Sequence, residues 1–163
     1  MTDVKRHPAS RLGHDFDALF REHSAAVART IYAFTAGRRA IAEEATAEAF
    51  AQAIAHADTI REPVAWIYRT AFRLAAAEVR RERRPRPDEP TEAVSEGLGR
   101  LVDALRQLSP NQRAAVVLRY EADLPVAEIA RRMGVRGATV RVHLHRGRNR
   151  LRELLGAEET DDA

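Results

Sequence analysis

No cysteine occurs in the 163 residues, which excludes disulfide frameworks and thiolate metal sites and fits a reducing compartment. Lysine is nearly as scarce: Lys5 stands alone, and the other 26 of the 27 basic residues are arginine. Aromatic residues make up only 6%, with Trp66 the one tryptophan. No run approaches the roughly 20 apolar residues of a membrane span, and the opening MTDVKRHPASRLGHDF lacks the apolar stretch of a signal peptide. These absences point to a soluble, cytoplasmic protein without membrane insertion. There is no glycine-rich phosphate loop, nucleophile elbow or His-x-x-x-His pair. No active site is read, so neither an enzyme nor a cofactor or metal is expected.

What is present is unevenly placed charge. Residues 15–79 carry seven Arg against nine acids, residues 98–156 carry twelve Arg against five acids, and the tail 157–163 is −4. Arginine offers a planar donor fork suited to phosphates and guanine edges. A basic C-terminal block beside a slightly acidic N-terminal one suggests that the former meets a polyanion.

The apolar pattern is helical throughout, and the fold class expected is all-α. Phe16, Leu19, Phe20, Val27, Ile31 and Phe34 fall on one stripe of a helix that Asp15 can cap. After Gly37-Arg38-Arg39 an Ala-rich helix runs over roughly 40–57, with Ile41, Ala45, Phe50 and Ile54 inward. A third helix starts at Pro63 and continues through Val79. PRPDEPTEAVSEG (85–97) then brings three prolines and four acids. It cannot bury enough apolar surface to order itself and reads as a flexible acidic linker, with an ordered polar loop as the alternative. The expected division is therefore a domain over 15–84, a linker over 85–97 and a second small helical domain over 98–156.

In the second domain Leu98, Leu101, Val102, Leu105 and Leu108 form another stripe, and Ser109-Pro110-Asn111-Gln112 has the form of a capped helix start. That helix carries Val116, Val117 and Tyr120. The most informative stretch is VAEIARRMGVRGATVRVHLHRGR (126–148). A helix-turn-helix needs a small residue where its helices touch, a residue tolerant of positive φ at the turn, and apolar wedges. Ala130, Gly134 and the set Ile129, Met133, Val135 and Val140 supply these. The second helix, about 137–155 with Gly156 as its C-terminal cap, must then turn Arg136, Ala138, Thr139, Arg141, Val142, His143 and Arg146 outward or sideways. Such positions enter the major groove, where Arg reads guanine and Thr or His meets bases or phosphates. From Arg136 to Arg152 there are six Arg and no acid. The plainer reading, a solvated face of a helical hairpin, leaves the agreement of spacing, turn and charge unexplained.

His143 and His145 lie two apart on a helix, face different directions and do not readily share a metal. Glu43, Glu44 and Glu48 read as a solvated or partner-facing surface rather than a catalytic carboxylate set. In the N-terminal half, Trp66, Tyr68, Arg69, Arg73 and the Arg80–Arg84 cluster are the one aromatic-plus-basic set. Such a set can stack and neutralise an unpaired strand, although Trp66 in such a helix is more often core.

Here the chain resembles the extracytoplasmic-function (ECF) sigma factors, the small two-domain class of bacterial transcription initiation factors. ALRQLSPNQRAAVVLRYEADLPVAEIARRMGVRGATVRVHLHRGRNRLRELL is similar nearly end to end to sigma region 4. DFDALFREHSAAVARTIYAF, AEEATAEAFAQA and REPVAWIYRTAFRLAAAEVRRERR follow region 2 in order and spacing, so the resemblance covers about residues 15–155. It implies that Glu43, Glu44, Glu48 and Phe50 lie on the helix that grips the clamp helices of the largest subunit of core RNA polymerase. Residues 55–63, including Asp58 and Arg61, match the loop that captures a flipped base of the −10 element. Trp66, Arg69, Arg73 and Arg80 belong to the helix beside the melted strand. Arg136, Ala138, Thr139, Arg141, Val142, His143 and Arg146 match the helix that reads the −35 element of promoter DNA. The flap of the second-largest subunit and an anti-sigma factor are the other partners implied.

The sequence departs from the family pattern in places. Ala47, Ile54, Arg73 and Ala77 stand where Gln, Trp, Asn and Asp are usual, and these bear on polymerase affinity and melting strength. Arg136 and His143 replace a capping Ser and a common Arg, which bears on the promoter sequence read. Two functions follow: a sigma factor that opens promoters, or a helix-turn-helix DNA-binding regulator, or degenerate sigma-like protein, that cannot melt DNA.

Overall fold

The computed structural model describes residues 13–82 and 96–156. The acidic linker expected over 85–97 lies outside the described residues except for Glu96 and Gly97, which open a helix instead of ending the linker. Among the described residues the structure is all-α, with seven helices.

Helix α1 (Phe16–Phe34) starts where the Asp15 side chain accepts from the Ala18 amide at 3.0 Å, satisfying one of the unpaired first-turn donors. It buries Phe16, Val27, Ile31 and Phe34. Phe20, expected inward, is instead 49% exposed and sits at the rim with its ring edge-on to Phe50 at 5.1 Å. Ala36 (φ 53°) and Gly37 (φ 86°) turn the chain into α2 (Arg39–Ala55). That helix turns Ala42, Ala45, Ala49 and Ala53 inward, small side chains that let it lie close against its neighbours α1 and α3. Helix α3 (Pro63–Arg81) places Pro63 where no amide partner is needed and buries Ile67, Tyr68, Ala71, Phe72 and Ala75.

Helix α4 (Glu96–Arg106) packs along α7, so only one flank is covered. Leu98 and Leu101, expected in the core, are exposed, while Ala104 and the following Leu108 are buried. Helix α5 (Pro110–Tyr120) has the full capping box. The Ser109 side chain accepts from the Gln112 amide at 3.3 Å, and Gln112 Oε1 accepts from the Ser109 amide at 3.4 Å. Such a cap is worth about 1 kcal/mol. Ala114 through Leu118 are all buried, because α5 is central and touches α1, α6 and α7. Its last residue, Tyr120, leaves the core and is exposed.

Helix α6 (Val126–Met133) ends on Gly134, whose φ of 68° is the left-handed cap the sequence calls for; the Val135 amide closes the turn onto the Ala130 carbonyl at 3.0 Å. Helix α7 (Gly137–Gly156) includes Gly156 rather than stopping before it. It crosses α5 at Gly147, where a Cβ would stand 2.9 Å from Val116 Cγ2.

The two helical groups, α1–α3 and α4–α7, are in contact: α5 lies on α1, and α6 lies on α3. Each group sends guanidinium donors to helix-terminal carbonyls of the other. Arg113 Nη1 donates to the Phe34 carbonyl at 3.2 Å, Arg106 Nη2 to the Ala36 carbonyl at 3.4 Å, and Arg69 Nη1 to the Arg131 carbonyl at 3.0 Å. The Phe34 and Ala36 carbonyls lie at and just beyond the end of α1, and the Arg131 carbonyl lies in the last turn of α6, where cations are favoured.

Candidate nucleic-acid interface

The helix-turn-helix is α6 and α7, held together from beneath by Ile129, Val140 and Leu144, all buried. With Val140, Leu144 and Gly147 committed inward, the 3.6-residue period turns the intervening residues out. Arg136, Ala138, Thr139, Arg141, Val142 and Arg146 are exposed as expected, and His143 is half-buried at the flank. Among the described residues, Arg136, Arg141 and Arg146 have neither a hydrogen-bond partner nor an ion-pair partner, so their donors are available.

The later arginines of α7 differ. Arg148 donates to Tyr120 Oη at 3.4 Å, Arg150 pairs with Glu153 at 3.2 Å and reaches Gln107, and Arg152 donates to Asn149 Oδ1 at 2.9 Å. His145 is hydrogen-bonded to Asn149 at 3.1 Å, so its ring already has a partner on its own helix. The six arginines thus divide into an unpartnered N-terminal set and a set anchored to the protein.

In α1–α3, the loop after α2 is pinned at Ile60, which is buried and whose carbonyl meets His14 Nε2 at 3.1 Å. Thr59 folds back onto the His56 carbonyl, leaving Asp58 and Arg61 on the outside. Trp66 is half-buried against the core with its ring 6.1 Å from that of His56, between the two roles the sequence leaves open for it. Arg73 reaches Gln52 Oε1 at 3.5 Å, and Arg80 is exposed. Arg69 is half-buried, and its Nη1 donates to the Arg131 carbonyl at 3.0 Å.

On α2, Glu43, Glu44 and Glu48 share the exposed face. Glu43 is 3.8 Å from Arg39, Glu48 accepts from Gln52 at 2.7 Å, and Glu44 keeps a free carboxylate among the described residues. Phe50, grouped with them by the resemblance, is 3% exposed and meets Phe20 of α1, so it lies in the core rather than on this face.

Arg113 is the residue that sequence reasoning missed. It is 8% exposed, donates to the carbonyls of Phe34, Arg106 and Leu108, and lies over the Phe34 ring at 5.4 Å. Burial, and then the charges of Arg38 and Arg106, lower its pKa from the ordinary arginine value. The available signal was position: three and four residues before Val116 and Val117, it occupies the apolar stripe of α5.

Residues 98–151, the helices carrying this interface, match the family described as Sigma-70, region 4. The ECF RNA polymerase sigma factor SigL of Mycobacterium tuberculosis is 32% identical over 146 residues, covering 78% of this chain and 81% of SigL. The chain belongs to the ECF RNA polymerase sigma factors. It is also 31% identical over 159 residues to the ECF sigma factor BldN of Streptomyces coelicolor, covering 86% of this chain but only 60% of BldN. The ECF sigma-factor fold extends over both helical groups. The Bartonella quintana sigma factor RpoE, solved in complex with the anti-sigma factor NepR, superposes with a TM-score of 0.68 over 87% of this chain and 97% of RpoE, at 22% identity. Among the described residues no helix is long and apolar enough to cross a membrane.

Proposed function

We propose that this ECF sigma factor brings core RNA polymerase to promoters and opens them, without chemistry of its own and in the cytoplasm. The observation that carries the reading is the N-terminal part of α7. Arg136, Thr139, Arg141 and Arg146 project from a rigid helix-turn-helix with no protein partner to occupy the guanidinium groups. Arg at base edges supplies discrimination, and Arg at phosphates supplies salt-dependent affinity. In this reading the recognition surface takes the −35 element, with Ala138, Val142 and His143 lining it.

The loop bearing Asp58 and Arg61, with Trp66, Arg69, Arg73 and Arg80 of α3, takes the −10 element. Opening DNA forfeits about 1.4 kcal/mol of stacking per base-pair step, and cations beside an aromatic surface offset that loss. The acidic face of α2, with Glu44 at its centre, docks on the clamp helices of the largest polymerase subunit. The helices α4–α7 meet the flap of the second-largest. An anti-sigma factor is a further partner, as one is for RpoE of Bartonella quintana. The division into domains over 15–84 and 98–156, with the linker between them, belongs to the same proposal.

The test is run-off transcription with purified core polymerase on genomic promoter fragments. Transcripts that need both the chain and core polymerase support the reading. Site-specific DNA binding by the chain without any transcript supports the regulator instead.

A further inference from the structure

We propose that His14, which lies ahead of the first helix, is a positioning residue for −10 recognition: its imidazole holds the loop of residues 55–63 in the shape that presents Arg61 to the flipped base. This rests on the assignment of that loop to the −10 element made above.

The bond itself fixes the chemistry. His14 Nε2 lies 3.1 Å from the Ile60 carbonyl oxygen, across a sequence separation of 46 residues. A carbonyl oxygen can accept but not donate, so Nε2 is a ring nitrogen that carries a proton. The peptide group held in this way joins Ile60 to Arg61, and a planar peptide turns as one unit. Holding its oxygen therefore sets the direction in which the chain leaves for Arg61, which is exposed.

His14 is itself held in place. It directly precedes Asp15, whose side chain caps α1 through the Ala18 amide at 3.0 Å. Its half-buried ring stands edge-on to that of Phe16, with centroids 6.2 Å apart, and Phe16 is part of the core. The capped helix start fixes the backbone beside His14, and the edge-on contact favours one direction for its ring.

The rest of the loop is built so that this one peptide matters. On the entry side, the Thr59 amide and hydroxyl both donate to the His56 carbonyl at 2.9 Å. On the exit side, Glu62 precedes Pro63, which restricts its backbone, and its carbonyl accepts from the Trp66 amide at 3.0 Å. Between these anchored ends stand Ile60 and Arg61. The Ile60 side chain is gripped by the core, at 4% exposed, and its carbonyl is gripped by His14. Asp58 and Arg61 flank it on the outside. A binding site carried on a loop needs such supports, because backbone freedom left in the unbound loop is lost again on binding. The start of α1 thus belongs to the −10 site, which is otherwise made by the end of α2 and the start of α3.

Two substitutions separate the bond from the packing. His14→Phe keeps a ring against Phe16 and removes the donor. His14→Gln removes the ring and places an amide donor near the position of Nε2. Each full-length variant is assembled with core polymerase, and the rate of promoter opening is read with permanganate on the parent −10 sequence and on one with the flipped base replaced. His14→Phe should lower the rate on the parent sequence about fivefold. The rate on the replaced sequence should stay near that of the parent protein, so discrimination between the two falls by the same factor. Holoenzyme assembly and closed-complex affinity should not change, and His14→Gln should recover most of the loss. In the free chain the Arg61 backbone order parameter should drop from about 0.85 to below about 0.6 in His14→Phe and return in His14→Gln. Opening unchanged by His14→Phe overturns the proposal. So does an equal loss on both sequences, which marks a merely structural residue. If the parent protein opens no promoter, the reading under Proposed function falls. The hold on the loop is then decided by the order parameter, and an unchanged value at Arg61 overturns it.

Discussion

Arg113 donates to the carbonyl of Phe34, the last residue of α1, across a sequence separation of 79 residues. Helix α1 has no basic residue in its own last turn, so the cation at its C-terminus is supplied from α5. The same guanidinium also takes the Arg106 and Leu108 carbonyls at and beyond the end of α4. One buried side chain thus joins the ends of two helices.

Replacing Arg113 should therefore cost more than a surface charge would. Arg113→Gln leaves buried carbonyls unpaired and should destabilise the chain by about 2–4 kcal/mol. Arg113→Lys should recover little of this, because a single ammonium cannot span three carbonyls that a planar fork reaches. Urea unfolding of the three proteins measures the difference; a Lys variant as stable as the parent would contradict the bridging role.

Gly147 makes a prediction of opposite character. A methyl there meets Val116, whose branched side chain is stiff at χ1. Gly147→Ala should lower stability by about 1–2 kcal/mol despite the better helix propensity of alanine. Val116→Ala in the same chain should restore part of that loss, since it removes the atom in the way. Thermal melts of the single and double variants show whether the two sites are coupled.

The exposed arginines of α7 should separate by role. Arg141→Ala should cost about 1–3 kcal/mol in promoter binding and relax preference at one −35 position. Arg146→Ala, if it holds a phosphate, should weaken all promoters alike and reduce the salt slope by about one. Competition binding of the holoenzyme over a salt series distinguishes them, and identical profiles for both would remove the assignment.

Glu44 should matter to assembly rather than to DNA. Its carboxylate has no partner among the described residues, so Glu44→Arg changes surface charge with little effect on stability. It should abolish pull-down of core polymerase through charge repulsion. The weak DNA binding of the free chain should persist, because Glu44 lies on α2 and the reading face on α7. Normal assembly of this variant would relocate the docking face.

Much of this was legible in the sequence because it is local. Asp15, Pro63, the Ser109–Gln112 box and Gly134 set helix ends through bonds and dihedral preferences within a few residues, and each stands where the pattern placed it. The outward face of α7 followed from three inward positions on one helix. What was not legible depends on partners far along the chain. Phe20 and Tyr120 continue apolar stripes, yet both lie at rims where a neighbouring helix covers them only in part. Arg69 reads as a free cation until α6 is packed against α3. The contact between the halves has no periodic signature of its own: it combines packing of α5 on α1 and α6 on α3 with single long-range side chains such as Arg113, Arg69 and Glu121.

The most direct measurement of the central claim is permanganate reactivity of promoter thymines around the −10 position. It is read with core polymerase alone, with the chain alone, and with both. The account predicts reactive thymines only when both are present, and their loss when the loop residue Arg61 and the α3 residue Arg73 are replaced together by alanine. A specific footprint by the chain alone, with no reactive thymine under any condition, would contradict it.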